Sequence, residues 1–310
     1  MRYGSLCLLT LTLNFGLWGC HASTSVTTPR PAPTVHPQNT SRATEINYIP
    51  DHFDKPLGNN FEYVSDDALT YLDFEISKRV RRSETEIEYA VLKKGGKVVA
   101  TFDGRPGQLS EVRFGLFPLL GEKDKQLVIE QTSNRYWRYW IVDLAPTFRV
   151  IYDSGKYHVI YDLRTLDADD DGRAEISQHL GTFWFFTGRF DNIYSPRQPI
   201  LFEYDTRVRE YRPANPAFER VVLKDAEQRM DKIREIKQAE SNSNSTSRMM
   251  RDSAILDLML RYIYAGKRQE AWSRYEQEYE GKDKKQFAAE IMNQLRTDSI
   301  YQIIYHKGTK

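Results

Sequence analysis

Residues 167–176 carry the most concentrated set of potential metal ligands in the chain. Four carboxylates stand at positions 1, 3, 5 and 9 of this run, and they are Asp167, Asp169, Asp171 and Glu175. Gly172 at position 6 permits a sharp reversal that lets several oxygen atoms point at one centre. Calcium takes about six to eight oxygen ligands at ~2.3–2.6 Å. The spacing predicts a calcium site in which the aspartates bind through side chains, Arg173 binds through its carbonyl oxygen, and Glu175 completes the shell.

Two other interpretations of the acidic run are a solvated turn without metal and a catalytic pair of carboxylates. Four carboxylates this close repel one another unless a cation lies between them, which favours an ion over an empty turn. Glycosidase carboxylates sit about 5–10 Å apart in environments that separate their pKa values. A cluster within nine residues, with no flanking apolar pocket evident, suits chelation better than acid–base chemistry.

The acidic run resembles the Asp-x-Asp-x-Asp-Gly-x-x-Glu/Asp-Ile/Leu calcium loop of FG-GAP and VCBS repeats, which occur in integrin-α-type β-propellers. It differs from an EF-hand because position 12 is Gln178 rather than Glu, and because residues 159–163 are typical of a strand. The resemblance covers the loop and, loosely, residues 86 to 212. It implies a structural calcium that closes the turn over residues 166–176 between two strands.

Other catalytic patterns are missing from the sequence. The six histidines show no HExxH spacing, and there is no Gly-x-Ser-x-Gly elbow, phosphate-binding loop or dinucleotide fingerprint. Two aromatic runs, residues 135–140 and 182–186, place rings on both faces of a strand. We expect one face to pack in the core, whereas an exposed ring among Trp137, Tyr139 and Trp184 could stack on a sugar or a partner. We therefore expect a binding protein rather than an enzyme.

The N-terminal residues indicate export. Residues 6–18 form an apolar stretch of 13 residues, shorter than the ~20 that span a bilayer but typical of a signal-peptide core. The following Leu-Trp-Gly-Cys resembles a bacterial lipobox, although Trp18 departs from its small-residue pattern. The resemblance implies that residues 1–19 are a lipoprotein signal peptide and that Cys20 carries lipid (palmitate), which anchors the protein to the membrane. His21 after Cys20, rather than Asp, implies the outer membrane if the host is a diderm.

Residues 20–45 and 46–212 differ sharply in composition. The first segment is rich in Ser, Thr and Pro and predicts a disordered tether behind the lipidated cysteine. The second shows short apolar runs separated by turn residues, which predicts a mainly β domain. A weak internal repeat places Phe102 and Tyr152 at equivalent positions 50 residues apart, and a third copy ends near Tyr211. A period near 50 is typical of stacked four-stranded blades, so we expect a propeller-like or stacked antiparallel array, with closure, sandwich or open arc left open.

Residues 213–310 predict a C-terminal α-helical domain. Residues 217–240 form a charged helical pattern, and residues 255–263 carry apolar side chains at i, i+3, i+4, i+7 and i+8. The pair of helices over residues 255–279 resembles a tetratricopeptide hairpin, with Gly266 at the turn. One such unit more often packs or caps than binds a peptide. If it does bind a partner, Tyr262, Trp272 and Tyr275 would line an exposed apolar groove.

The charge balance bears on possible partners. Forty-four basic and 43 acidic residues give a formal net charge of +1, which disfavours nucleic-acid binding. Together the patterns predict a membrane-anchored envelope lipoprotein that acts as a calcium-stabilised binding or scaffold module, with an envelope protein or a glycan as its possible partner. The alternatives are a glycan- or peptidoglycan-acting hydrolase, which would need carboxylates from different repeats in one deep pocket, and a partner-binding subunit of an envelope complex.

Overall fold

The structure of the chain is a computed structural model. It describes residues 55–56, 67–82, 86–103, 110–121, 123–133, 136–190, 194–239 and 245–306. All of these fall within one compact unit, Ile49–Lys310. The predicted signal peptide, Cys20 and the tether over residues 20–45 lie outside the described residues.

Among the described residues, three antiparallel sheets follow one another along the chain. The first sheet runs β2 to β5, with bounds Ala68–Tyr71, Phe74–Arg82, Glu86–Lys94 and Lys97–Phe102. The second runs β6 to β9, with bounds Glu111–Phe117, Gln126–Ser133, Tyr136–Asp143 and Arg149–Asp153. The third runs β10 to β13, with bounds Val159–Leu166, Glu175–Leu180, Pro199–Asp205 and Glu210–Pro213, and the two-residue β1, Lys55–Pro56, pairs with β10.

Each sheet contains four consecutive strands in which every strand pairs with the next one along the chain. The residues matched by the sequence repeat occupy equivalent places, because Phe102, Tyr152 and Tyr211 all lie in the last strand of their sheets. The mainly β architecture with a helical C-terminal region is confirmed. The described strands form open sheets, each with two edges, rather than a single closed one.

The second sheet is buried on both faces because successive side chains of a strand point in opposite directions. In β7, Leu127 and Ile129 pack into an apolar cluster shared with the first sheet. Val128, between them, packs into a larger cluster shared with the third sheet. All three are essentially inaccessible to water. The continuous apolar run in the sequence therefore reflects sheets stacked face to face.

Six α-helices follow the third sheet among the described residues. Helices α1 to α6 have the bounds Glu219–Val222, Ala226–Ala239, Ser245–Tyr264, Arg268–Glu278, Lys284–Thr297 and Ser299–Tyr305. The amphipathic helix predicted over residues 255–263 is confirmed as part of α3. The single helix predicted over residues 217–240 is instead broken after Val222. At that break, the Asp225 side chain turns inward to meet Arg229 and the buried Arg261.

The helices and the third sheet share one hydrophobic core. Ile176 and Phe202 from the sheet belong to the same buried cluster as Ile233, Met259 and Phe287 from the helices. The predicted boundary at residues 212–213 therefore marks a change of secondary structure within a continuous core. Within the part of the chain that the structure describes, no helix is both long and apolar enough to cross a membrane.

Candidate metal centre

The acidic run forms the connection of a β-hairpin. Leu166, at the end of β10, pairs with Glu175, at the start of β11, so residues 167–174 form the loop between them. Two hydrogen bonds fix the end of this loop to neighbouring elements. The Ala174 amide donates to the Leu119 carbonyl at 2.7 Å, and the Tyr211 hydroxyl donates to the Ala174 carbonyl at 2.9 Å. The loop is thus held between the second sheet and the last strand of the third.

Three of the predicted ligands converge at one point. Asp167, Asp169 and Glu175 each offer a carboxylate oxygen, and these oxygens lie within 4.8 Å of one another. The two aspartates are exposed, whereas Glu175 is buried. Three converging carboxylate oxygens, two of them on exposed residues, are a donor set that suits a hard divalent cation whose shell is completed by water.

The electrostatics of Glu175 are unusual for a carboxylate. Its Oε2 accepts the Ala168 amide at 2.6 Å, a bond that stabilises the ionised form. Burial nevertheless, together with the negative charges of Asp169 and Asp167, raises the pKa of Glu175 from its ordinary 4.5 to about 7. Without a cation, therefore, this carboxyl is only partly ionised near neutral pH. A bound divalent ion would remove the repulsion that holds its pKa high.

The backbone of the loop brings these carboxylates together. Both oxygens of Asp167 accept backbone amides, from Asp171 at 3.1 Å and from Gly172 at 3.0 Å. Asp170 has a φ of 59° and Gly172 has a φ of 78°, so the chain reverses through two left-handed residues. Glycine adopts this conformation without steric cost, and aspartate is among the residues that tolerate it best. The glycine at position 6 is thus required by the reversal.

Asp171 lies apart from the three convergent carboxylates. Its Oδ2 accepts the Arg173 Nε at 2.8 Å and also a bond from the Arg173 Nη2, and its Oδ1 accepts the Arg173 amide at 2.8 Å. The guanidinium lowers the pKa of the Asp171 carboxyl. Asp171 could reach an ion in the loop only by giving up its pairing with the Arg173 side chain.

A second concave site lies at the junction of the second sheet, the third sheet and the helices. It is a cleft of about 560 Å³ whose lining includes Trp137, Arg138, Lys156, Trp184 and Gln294. Its lining carboxylate is Asp298, which is buried and accepts the Thr182 hydroxyl and the Tyr301 amide. A glycosidase needs two carboxylates in one pocket. The lining of this cleft contains one, Asp298, which is about 120 residues further along the chain than the acidic loop.

The three residues predicted to bind a partner differ in exposure. Tyr275 is fully buried, and its hydroxyl donates to the Lys284 carbonyl at 2.8 Å. Tyr262 is 4% exposed and lies under the Arg274 guanidinium. Of these three residues, Trp272 is the one that lines an open depression, where it lies beside Met292. The predicted exposed groove over all three is therefore not formed, because α5 covers the hairpin and packs Phe287 against Tyr275.

The sequence marks Trp137 and Trp184 as candidate binding residues, but it does not connect them with each other or with Lys156 and Gln294. The cleft depends on contacts between segments more than 100 residues apart, such as the bond from the Gln294 amide to the Thr182 carbonyl at 2.9 Å. The signal for this cleft in the sequence is the pair of aromatic runs.

Comparison of the chain with protein-family models, with curated proteins and with solved structures gives no match.

Proposed function

We propose that this protein is a calcium-stabilised, non-catalytic binding module held at the cell envelope by a lipid on Cys20. The observation that carries the calcium part is the convergence of Asp167, Asp169 and Glu175 at the turn between two neighbouring strands. The donor set consists of carboxylates only, and hard cations such as calcium prefer oxygen ligands.

The role of the ion would be structural. The loop is hydrogen-bonded to Leu119 beside the second sheet and to Tyr211 in β13. An ion that fixed the loop would therefore also fix the junction of two sheets. Water and loop carbonyl groups, among them that of Arg173, would supply the remaining ligands, because three carboxylates alone do not fill a calcium shell.

The arrangement of the sheets supports a propeller-like or stacked β-repeat. Three successive four-stranded meanders with equivalent strand order agree with the repeat near 50 residues. In this proposal the calcium loop joins the first and second strands of the third repeat. Such arrays bind through their faces and loops, and this supports a binding or scaffold role over a catalytic one.

Membrane attachment is supported by the sequence, through the lipobox-like residues before Cys20. Metabolic labelling with palmitate in a bacterial host tests it. The wild-type chain should incorporate label and fractionate with membranes, whereas a Cys20→Ser variant should do neither. Label that persists in the variant would contradict anchoring through this cysteine.

Thermal unfolding in calcium and in chelator tests the metal site. At 100 times its dissociation constant, a ligand stabilises the folded state by about 2.7 kcal/mol. Asp169→Asn should remove most of this gain, because it removes one of the three convergent carboxylates. Asp231→Asn is the matched control, since Asp231 is exposed on α2 and pairs with Arg234 far from the loop in sequence. Equal calcium responses in the two variants would reject the site.

A further inference from the structure

The cleft beside the helices has the dimensions of a small-molecule site. Its volume of about 560 Å³ lies within the ~300–1,000 Å³ typical of ligand pockets. The 3₁₀ turn Ser154–Lys156, the turn over residues 182–185 and the start of α6 form its walls. The cleft is a separate feature from the acidic loop, and no residue of that loop lines it.

Aromatic rings form one side of the cleft. Trp137 and Trp184 both line it and are half-buried. Tyr161 joins them, with its ring centre 5.6 Å from that of Trp137 and 6.0 Å from that of Trp184. Phe185 stacks on Trp184 at 5.1 Å and is 52% exposed. Four rings thus form a continuous strip, which we call the aromatic strip, from the cleft to the surface.

The aromatic strip is held in a strained backbone. Tyr161 has a φ of 64° and Phe185 has a φ of 55°, although bulky side chains rarely adopt left-handed conformations. Such strain persists only where the surrounding structure fixes it, and it concentrates at binding sites. Here the Phe185 amide donates to the Ser195 hydroxyl at 3.1 Å, and the Gln294 side chain holds the Thr182 carbonyl at 2.9 Å. The rings are therefore positioned before any ligand arrives.

Polar groups also line the cleft. The Arg138 guanidinium is fixed by two bonds to Asp153, at 3.2 and 3.1 Å. The Lys156 ammonium is only loosely engaged, 3.9 Å from Glu210, and its side chain is 51% exposed. Gln294 and Thr297 add amide and hydroxyl groups to the lining. The cleft therefore offers flat apolar faces together with hydrogen-bonding groups and one cation available to a ligand.

We infer that this cleft binds a carbohydrate, with a carboxylate-bearing sugar preferred. The aliphatic face of a pyranose ring packs on flat aromatic rings, and its hydroxyl groups need amide, hydroxyl and guanidinium partners of the kind found here. Lys156 would meet the acidic group of the sugar. This inference names the ligand class of the proposed binding role and rests on that proposal.

Titration of purified full-length Cys20→Ser chain with three oligosaccharides tests the inference. The probes are digalacturonic acid, maltotriose and tri-N-acetylglucosamine, and the detergent is one without sugar groups. Calorimetry measures affinity, and tryptophan fluorescence locates the contact. We expect digalacturonic acid to bind best. Trp184→Ala and Trp137→Ala should each lower the affinity for digalacturonic acid at least tenfold, or by ~1.4 kcal/mol. Trp272→Ala, which alters a half-buried tryptophan outside the cleft, should leave affinity unchanged.

Two conservative variants keep the test decisive if the alanine variants fail to fold. Trp184→Phe keeps a ring, and Lys156→Gln changes a half-exposed side chain. Lys156→Gln should lower the affinity for digalacturonic acid several-fold and leave the affinity for the neutral sugars unchanged. Absence of binding by all three probes at ~10 mM, or binding that none of the four cleft variants alters, would overturn the inference.

The calcium response of the same samples separates this inference from the proposed metal site. Asp169→Asn should lose calcium stabilisation and retain carbohydrate affinity, because Asp169 does not line the cleft. Cys20→Ser protein that is stabilised by calcium but binds no probe rejects the carbohydrate cleft alone. Cys20→Ser protein that binds a probe without any calcium response rejects the metal site alone.

Discussion

Glu175→Gln should change the free energy of unfolding differently with and without calcium. Glu175 is buried next to two exposed carboxylates, and its pKa is raised to about 7. Glutamine has nearly the same shape, and its amide oxygen can still accept the Ala168 amide. At pH 8 without metal, the substitution removes a buried charge that its neighbours repel. Each unit of pKa shift corresponds to about 1.4 kcal/mol of free energy of unfolding. Solvent screening of the exposed neighbours reduces this contribution, so we expect the variant to be more stable than the metal-free wild type by about 1–3 kcal/mol.

The gain from Glu175→Gln should depend on pH. The folded-state pKa of about 7 lies above the ordinary value of 4.5 that holds in the unfolded chain. Glu175 therefore favours the folded state below pH 4.5, and this contribution is lost as the pH rises through about 7. The glutamine variant does not ionise. The free energy of unfolding of the variant should thus exceed that of the metal-free wild type most at pH 8 and only slightly near pH 4.5.

Calcium should offset this gain, and it reverses the order of stability wherever the gain is below about 2.7 kcal/mol. Sites in extracellular modules bind calcium with dissociation constants of about 10⁻⁴–10⁻³ M, so ~10 mM calcium approaches 100 times the tighter value and stabilises the wild type by about 2.7 kcal/mol. For a unit of this size, that is a rise of about 5–10 °C in melting temperature. The glutamine variant lacks one anionic ligand and should gain little.

Urea unfolding at pH 8 and pH 5, each in 10 mM calcium and in chelator, measures these differences. Glu130→Gln is the control. Glu130 is equally buried but pairs with Arg113 at 2.8 Å, so its loss of charge should destabilise the protein with or without calcium. The reasoning fails if calcium stabilises the Glu175→Gln protein as much as the wild type. It also fails if this variant is the less stable protein in chelator at pH 8.

Four further substitutions, at three positions, test the helical region by urea unfolding. Arg261→Met should cost about 3–5 kcal/mol, because the fully buried guanidinium pairs with Asp225 and its loss leaves negative charge inside the protein; a loss under 1 kcal/mol would contradict this. Gly266→Ala should cost about 1 kcal/mol or more, since φ is +84° there, and an unchanged midpoint would show that the turn relaxes. Tyr275→Phe should cost about 0.5–1.5 kcal/mol through the bond to Lys284, and Tyr275→Ala about 3–5 kcal/mol through lost packing.

The acidic loop shows which part of the site the sequence predicts. Asp167, Asp169 and Glu175 lie within nine residues in one hairpin, so their spacing and the glycine determine where their oxygens meet. Spacing alone could not decide the partner of Asp171. The carboxylate can serve an ion or a nearby cation, and in the structure it pairs with Arg173 two residues away.

The helical region shows where local patterns stop being informative. Periodicity correctly predicts that Tyr262 and Tyr275 each lie on the apolar face of their own helix. It does not indicate whether that face meets solvent or another helix, and α5 covers it with Phe287. The cleft is a stronger case, since Lys156 and Gln294 join its lining only through the packing of the whole unit.

The shared core of the third sheet and the helices has a consequence for biosynthesis. Ile300 and Tyr301 in α6 belong to the same buried cluster as Ile176 and Phe202. The sheet therefore cannot complete its packing until the ribosome has translated codon 301. A premature stop, or a protease cut between β13 and α6, should yield an aggregating fragment rather than a smaller stable protein.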